Sequence, residues 1–443
     1  MTGESLRQDV TGSMALKVAV VTPHFLDGTA QGLAGTRVIR GLSERGHQVT
    51  VLVRGGPVQG EDAAPEGPAD YHGALVHRVA PDPDRVPAWW EWLRDRAASS
   101  RLWDKVFAAA SLWRGCRPEE WAWVSAAADR VVELHRGSGG LDVVLTVLNP
   151  HIGHLVGLEA RRREPGLAWC AYYSDPWPHH LYPDPYVFTV GPVARRRLEG
   201  VLERFLAGAG SSVFPSDRLR DHLLRDRRAR FRSRAFVAPH LTELRGARSR
   251  PPGAALVVRH AGFLMKERRV EPLYDALLVM ANRRPDALAV LRVEFAGRYP
   301  GGAVPKPPKA LEGVVSFLPW MPPDESEAWM SAADVCLLVE AKLEEGIFFP
   351  SKLSDYLSVR RPILALSPTR GVVADVLRAG GGLRVEPDDV DAIADALTRT
   401  YDAWTAGDLE AWGPTEEQVK AYSAARVIPV YEEAFRMAME AVR

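Results

Sequence analysis

Ser351, Lys352 and Asp355 are spaced to hold a nucleotide. They lie in EGIFFPSKLSDYLSVRRPILAL, from Glu345 to Leu366, where Ser351, Lys352 and Leu353 fall at the expected start of a helix. The first N–H groups of a helix have no partner inside it, and the helix dipole places partial positive charge there, so the position suits an anion such as a diphosphate. Lys352 adds a full positive charge. Asp355 follows one turn later, where a carboxylate can accept hydrogen bonds from two ribose hydroxyls. Pro362 then opens the apolar run PILAL, the pattern of a covered parallel strand.

A second group of residues could handle protons. His151, His154, His179 and His180 stand near the ends of candidate strands, with Asp175 between them in sequence. Gly28, Gly32 and Gly35 form a Gly-rich loop after the first strand, but their spacing is not that of G-x-G-x-x-G. Asp82 and Asp84 make an Asp-x-Asp string among prolines; it precedes no strand, so it reads as a turn rather than a metal site.

These groups need a scaffold, and the chain supplies two. KVAVVT from Lys17 is a short buried strand, a helix is predicted from about Ala34 to Arg45, and VTVLV from Val49 is the next strand, which makes a βαβ opening. Further strands are predicted at Asp142, Leu167, Ser211 and Ala235. The stretch 81–125 is different, a Trp-rich insertion that reads as a local apolar mini-core or an aromatic lid. RGARSRPPG, Arg245 to Gly253, has linker composition. The alternation then restarts, with strands at Ala255–Ala261, Leu291–Ala296, Val314–Phe317, Val335–Val339, Ile363–Leu366 and Leu383–Val385. The expected organisation is a leader over 1–14 without order, a first Rossmann-like domain over 15–247, a second over 248–415 and a helical segment over 416–443. Ligands in open α/β sheets bind beyond the carboxyl ends of strands, so both glycine and lysine segments should face one central cleft.

Composition narrows the function classes. The 443 residues are 46% hydrophobic and 25% charged with zero formal net charge, which gives no basis for binding nucleic acid through its phosphates. Cys116, Cys170 and Cys336 have no metal-ligand spacing and no disulfide framework, which favours a reducing, cytoplasmic setting. No apolar run approaches the ~18 residues of a membrane helix, and the polar start MTGESLRQDVTGS is not a secretory signal. Arg outnumbers Lys and Ala is abundant, a mark of a GC-rich genome.

Together the motifs resemble a retaining glycosyltransferase of the GT-B fold, family 4, from about Lys17 to Thr400. Pro350, Lys352, Asp355, Tyr356 and Leu357 fit a subgroup of the form P-x-K-x-x-[DE]-Y-L. HAGFLMKERRVEPLYDAL from His260 looks like the strand, loop and helix of the donor domain. DVVLTVLNPHIGHLVGLEA and AYYSDPW look like two acceptor-domain strand ends; relatives often carry His or Arg where this chain has Ser174. Glu345 stands two residues further from Asp355 than the usual Glu-to-Glu spacing.

The resemblance implies two α/β Rossmann-like domains and a C-terminal helix. It implies a donor site of Gly262, Lys266, Arg268, Glu345, Ser351, Lys352, Leu353 and Asp355, with Arg268 preferred to Lys266 at the diphosphate. It implies an acceptor site drawn from Gly32, Gly35, Asn149, His154, Ser174 and His179, with Asp175, His151 and Glu345 as catalytic candidates. The co-substrate would be a nucleoside diphosphate sugar, with no further cofactor and no metal. The acceptor would be a small soluble molecule, and the composition points to specialised-metabolite (antibiotic) biosynthesis. A cell-envelope or polysaccharide glycosyltransferase and a non-catalytic nucleotide-sugar-binding subunit are the alternatives. A nucleotide-sugar epimerase shares the fold. A pyridoxal-phosphate phosphorylase is disfavoured by scarce lysine, and a Rossmann oxidoreductase by the loop spacing.

Overall fold

The computed structural model describes residues 15–23, 25, 30–55, 69–97, 115–137, 139–148, 151–243, 254–299 and 304–443. The leader, Gly28, Asn149, the linker over 245–253 and the tryptophans Trp103 and Trp113 lie outside these residues. The chain forms two compact units. The first comprises residues up to Tyr182, Phe188–Ala238 and Ile428–Arg443; the second comprises Pro183–Val187 and Pro239–Val427.

The first unit is built on an eight-stranded sheet in the order β3-β4-β2-β1-β5-β6-β7-β8. Its strands are β1 (Lys17–Val21), β2 (Gln48–Arg54), β3 (Ala69–Tyr71), β4 (Ala74–Val79), β5 (Val143–Val147), β6 (Trp169–Tyr172), β7 (Ser211–Phe214) and β8 (Ala235–Val237). All pairs are parallel except β3 with β4. The runs VVLTV and WCAY are buried at every position, as strands covered by helices on both faces must be. The β3–β4 hairpin escaped the sequence reading. Its turn is His72–Gly73, and both have positive φ (50° and 82°), the backbone of the tight hairpin turn that suits strand twist.

The first helix runs Ala30–Glu44, four residues earlier than expected, so Gly32 and Gly35 belong to a helix and not to a loop. In the Trp-rich stretch, Trp90 and Trp123 are fully buried, while Trp89 and Trp92 remain exposed. Asp82 accepts from the Asp84 amide and from the Arg85 side chain, capping the turn Pro83–Arg85. The C-terminal segment is two helices, Glu416–Ala421 and Ala424–Glu440. Glu432 on the second accepts from Arg45 at 2.6 and 3.0 Å, and Ala434 accepts from the Ser211 hydroxyl at 2.7 Å, which ties this helix into the first unit.

The second unit carries a six-stranded parallel sheet in the order β11-β10-β9-β12-β13-β14. The strands are β9 (Leu256–Ala261), β10 (Leu291–Ala296), β11 (Val315–Leu318), β12 (Val335–Val339), β13 (Ile363–Leu366) and β14 (Gly382–Val385). In chain order this is 3-2-1-4-5-6, with the direction of winding reversed between β9 and β12, where such sheets bind their ligands. Two apolar layers cover the faces. One holds Leu256, Val258, Leu277, Phe295, Leu337 and Leu364; the other holds Leu338, Leu353, Tyr356, Leu357, Ile363 and Val373. Cys116, Cys170 and Cys336 are buried and unpaired with one another, and burial pushes the Cys170 thiol up to about 12. No described helix is long and apolar enough to cross a membrane.

Candidate functional site

The strongest cluster sits at the reversal point of the second sheet. β9 ends at Ala261, and Gly262 follows with φ 121°, a conformation that side chains rarely adopt. A Cβ at 262 would overlap the ammonium of Lys352, so the missing side chain makes room for the lysine. The Gly262 amide donates to Ala296 O at 2.7 Å, which joins the end of β9 to the end of β10.

Lys352 comes from the helix Ser351–Val359, which forms because Leu353, Tyr356 and Leu357 recur at helical spacing and bury one face. The Tyr356 hydroxyl fixes the helix to the sheet: it accepts from the Ala261 amide and donates to Leu337 O, each at 3.1 Å. Pro350 is the N-cap residue and supplies no side-chain cap. The Leu353 amide is already spent on Pro350 O at 2.9 Å and its side chain is in the core, which corrects its placement among donor-binding groups. The Ser351 and Lys352 amides remain the helix-start donors. Asp355 is half-buried one turn on.

Arg268 is the second cation. Its positive charge lowers the proton affinity of Lys352, after desolvation as the larger cause and against the pull of Asp355, and the ammonium falls to about 8. The Arg268 Nε is buried and has no hydrogen-bond partner among the described residues. Lys266, the second choice for this role, is exposed. Lys352 is held away from water, with Asp355 only partly offsetting the cost, and a bound dianion would offset more of it. His260, buried just before Gly262, stays neutral: burial and then the Lys352 charge bring it down to about 3, and its Nδ1 donates to Leu337 O at 2.9 Å.

Glu340 was overlooked by the sequence reading. It follows β12 directly, is buried, accepts from the Ser367 hydroxyl after β13, and is held above the usual carboxylate range by burial, with Ser367 and Arg268 opposing. The available signal was an acid placed immediately after the unbroken apolar run VCLLV. Glu345 lies further on in the loop, half-buried, beside Gly346, whose amide donates to Arg370 O at 2.9 Å.

In the first unit the predicted residues divide. Ser174 and Asp175 follow β6; the Ser174 hydroxyl lies 3.0 Å from the Asp175 carboxylate and 3.2 Å from Leu148 O, at the end of β5. His179 is in the turn His179–Leu181 and feels the Asp175 charge, but burial, the larger cause, lowers its proton affinity. His151 stacks on Trp177 (4.6 Å, 18°) and its Nε2 donates to Gly115 O, with burial again lowering its proton affinity. His154 is corrected from acceptor-binding to structural. It has no exposure, packs against Trp169, Tyr173 and Phe205, shares a 2.8 Å hydrogen bond with Thr146, and falls to about 3 because of burial. Gly35, half-buried in its helix, has open space where a Cβ would point; Gly32 is buried.

No protein-family model matches the chain, and no curated protein matches it by sequence. Solved structures match over nearly its whole length. A glycosyltransferase from Rickettsia africae aligns at 11% identity over 96% of this chain and 99% of its own, with a TM-score of 0.59. An alpha,alpha-trehalose-phosphate synthase (UDP-forming) from Burkholderia xenovorans, in complex with glucose-6-phosphate, aligns at 10% identity over 96% and 100%, also at 0.59. A trehalose-6-phosphate protein from E. coli bound with UDP-2-fluoro glucose aligns at 12% identity over 96% of each chain, at 0.54. The fold is GT-B: two Rossmann-like α/β units of the kind these glycosyltransferases share. The likeness does not single out family 4.

Proposed function

We propose that the chain is a glycosyltransferase that takes its sugar from a nucleoside diphosphate sugar. The observation that carries this reading is the Lys352 ammonium seated over Gly262 with Arg268 beside it, at the reversal point of the second sheet. The UDP-2-fluoro glucose and the glucose-6-phosphate named with the structural neighbours support it. Asp355 would take the ribose hydroxyls. Lys352, Arg268 and the Ser351 and Lys352 amides would hold the diphosphate.

The chemistry follows from that placement. As the bond between the anomeric carbon and the β-phosphate oxygen breaks, negative charge grows on the departing phosphate. The two cations and the amides stabilise it more in the transition state than before. A front-face retaining course is the reading that fits the P-x-K-x-x-[DE]-Y-L resemblance to family 4. In it the acceptor hydroxyl forms the new bond on the face the phosphate leaves, and its proton passes to that phosphate. Glu345 is assigned to the donor sugar hydroxyls, and Asp175, His151, His179 and Ser174 to the acceptor. The first acceptors to assay are sugar phosphates, on the strength of the glucose-6-phosphate named with one neighbour, and then small specialised metabolites.

The test is donor turnover. Lys352→Ala and Arg268→Ala should each lower the turnover rate by roughly 10²–10³-fold, the loss that follows removal of one preorganised donor at a developing oxyanion. Near wild-type rates in both variants reject the diphosphate clamp, and a product of inverted anomeric configuration rejects the front-face course. Melting curves with UDP-, GDP- and dTDP-sugars identify the base, since a ligand at about 100 times its dissociation constant adds ~2.7 kcal/mol.

A further inference from the structure

β9 and β12 lie side by side in the middle of the second sheet, and they stop pairing early. Their register covers only Val335↔Val258 and Cys336↔Arg259. Each strand nonetheless stays paired with its outer neighbour to the end, β9 with β10 through Ala261 and β12 with β13 through Val339. The break is confined to the seam between them, at the reversal point where an open α/β sheet takes its ligand.

One side chain explains the break. Bonds in a parallel ladder recur evenly along the pair, and at this register the next rung would run from the Ala261 amide to Leu337 O. A hydroxyl occupies that rung. The Ala261 amide donates to Tyr356 Oη at 3.1 Å, and Tyr356 Oη donates to Leu337 O at 3.1 Å. Leu337 O also accepts from His260 Nδ1 at 2.9 Å, so both of its lone pairs are taken. The two rung partners are satisfied through an inserted atom, which holds the strands further apart than a direct N–H···O bond would. Tyr356 has no exposure, so water cannot take over this bridge.

The gap adjoins the proposed donor site. Lys352 lies four residues before Tyr356 on the same helix, so the two side chains leave one face of it. The tyrosine enters the seam at Ala261, and the lysine ammonium occupies the space over Gly262, one residue on. We propose that Tyr356 is a positioning residue whose hydroxyl keeps β9 and β12 apart, and that this separation seats Lys352 for the donor diphosphate. This rests on the proposed donor site. A hydroxyl that only tied the helix to the sheet would contribute to stability and leave phosphate binding unaffected, and the two roles can be measured apart.

The experiment is a double-mutant cycle on the full chain, read by calorimetric binding of UDP, GDP and dTDP, using whichever binds wild-type protein most tightly. Tyr356→Phe keeps the ring and removes the hydroxyl, which lets the Ala261 amide bond Leu337 O directly and close the seam. Diphosphate affinity should fall about tenfold, the scale of one hydrogen bond to a charged group. Affinity for the matching nucleoside, which has no phosphates, should hold. In a Lys352→Ala background the same substitution should have no further effect on the diphosphate. Affinity unchanged by Tyr356→Phe overturns the proposal. So does an equal loss in both backgrounds, or an equal loss for nucleoside and diphosphate, because those are structural effects. If Tyr356→Phe does not fold, a crystal structure of wild-type protein with the bound nucleotide decides. The proposal requires a phosphate oxygen within hydrogen-bond reach of Lys352 Nζ, with Tyr356 Oη still between Ala261 N and Leu337 O. A direct bond from Ala261 to Leu337 overturns this inference alone; phosphates away from Lys352 overturn the donor site with it. If wild-type protein binds none of the three diphosphates, the donor site fails and this inference with it; if it binds and the cycle shows no coupling, only this inference fails.

Discussion

The two sheets place polar residues at equivalent strand ends, and they treat charge in opposite ways. In the second unit burial and then the Arg268 charge lower the proton affinity of Lys352, against the pull of Asp355. In the first unit burial lowers the proton affinity of His151, His154 and His179, and Ser174 bonds to Asp175 within the cluster. At one set of strand ends a lysine ammonium is desolvated; at the other the imidazoles are kept from charging by burial.

The contrast can be broken most severely at Gly262. Replacing it with Val puts a side chain where the Lys352 ammonium rests and forces positive φ on a branched residue. Donor turnover should fall by at least about 10²-fold, by the same reasoning as loss of an oxyanion donor. Nucleoside diphosphate affinity measured by calorimetry should fall with it, while acceptor binding holds.

The next effect is a pH dependence confined to the second unit. Lys352 binds an anion only while protonated, and its ammonium titrates at about 8 instead of the ordinary 10.5. Affinity for the nucleoside diphosphate should be level below that point and then decline, approaching about tenfold per pH unit above it, until the raised proton affinity of the complex is reached. A flat profile between pH 7 and 9.5 would show that the lysine charge is not used.

On the first unit, Asp175→Asn should raise the acceptor KM several-fold through a lost charge-assisted hydrogen bond, with the donor dissociation constant unchanged. A shift in donor affinity instead would erase the division between the two clusters. Smallest of all, His154→Leu should change only stability. The imidazole gives up one hydrogen bond to Thr146 and one buried unsatisfied nitrogen, so the net cost is about 1–2 kcal/mol, seen as a few degrees in the melting temperature. An altered KM for either substrate would return His154 to the list of binding residues.

The elements of the second unit were legible because their signals are local. Pro350, Lys352 and Asp355 lie on one helix, and the apolar face of that helix and the following ILAL strand announce themselves by periodicity. The same holds for Gly262, which directly follows an apolar strand. What stayed hidden depends on contacts between distant segments. Glu340 looks like any loop acid until Ser367, 27 positions away, donates to it. His154 misled for the opposite reason: a histidine at a strand end looks available, and only the packing of Trp169, Tyr173 and Phe205 around it shows otherwise. The Gly32 and Gly35 misplacement is a matter of helix propensity. Glycine was read as a breaker, yet burial along Thr36, Ile39 and Leu42 carries the helix through both.

The burial of all three sulfhydryls bears on how such experiments can be done. Alkylating reagents attack the deprotonated sulfur, and at Cys170 that form is vanishingly scarce near neutrality as well as shielded. The native protein should therefore stay dark to maleimide dyes and indifferent to mild oxidants. A single cysteine installed at exposed Trp320 of the second unit, or at exposed Val193 of the first, would carry the whole fluorescent signal without any background to subtract.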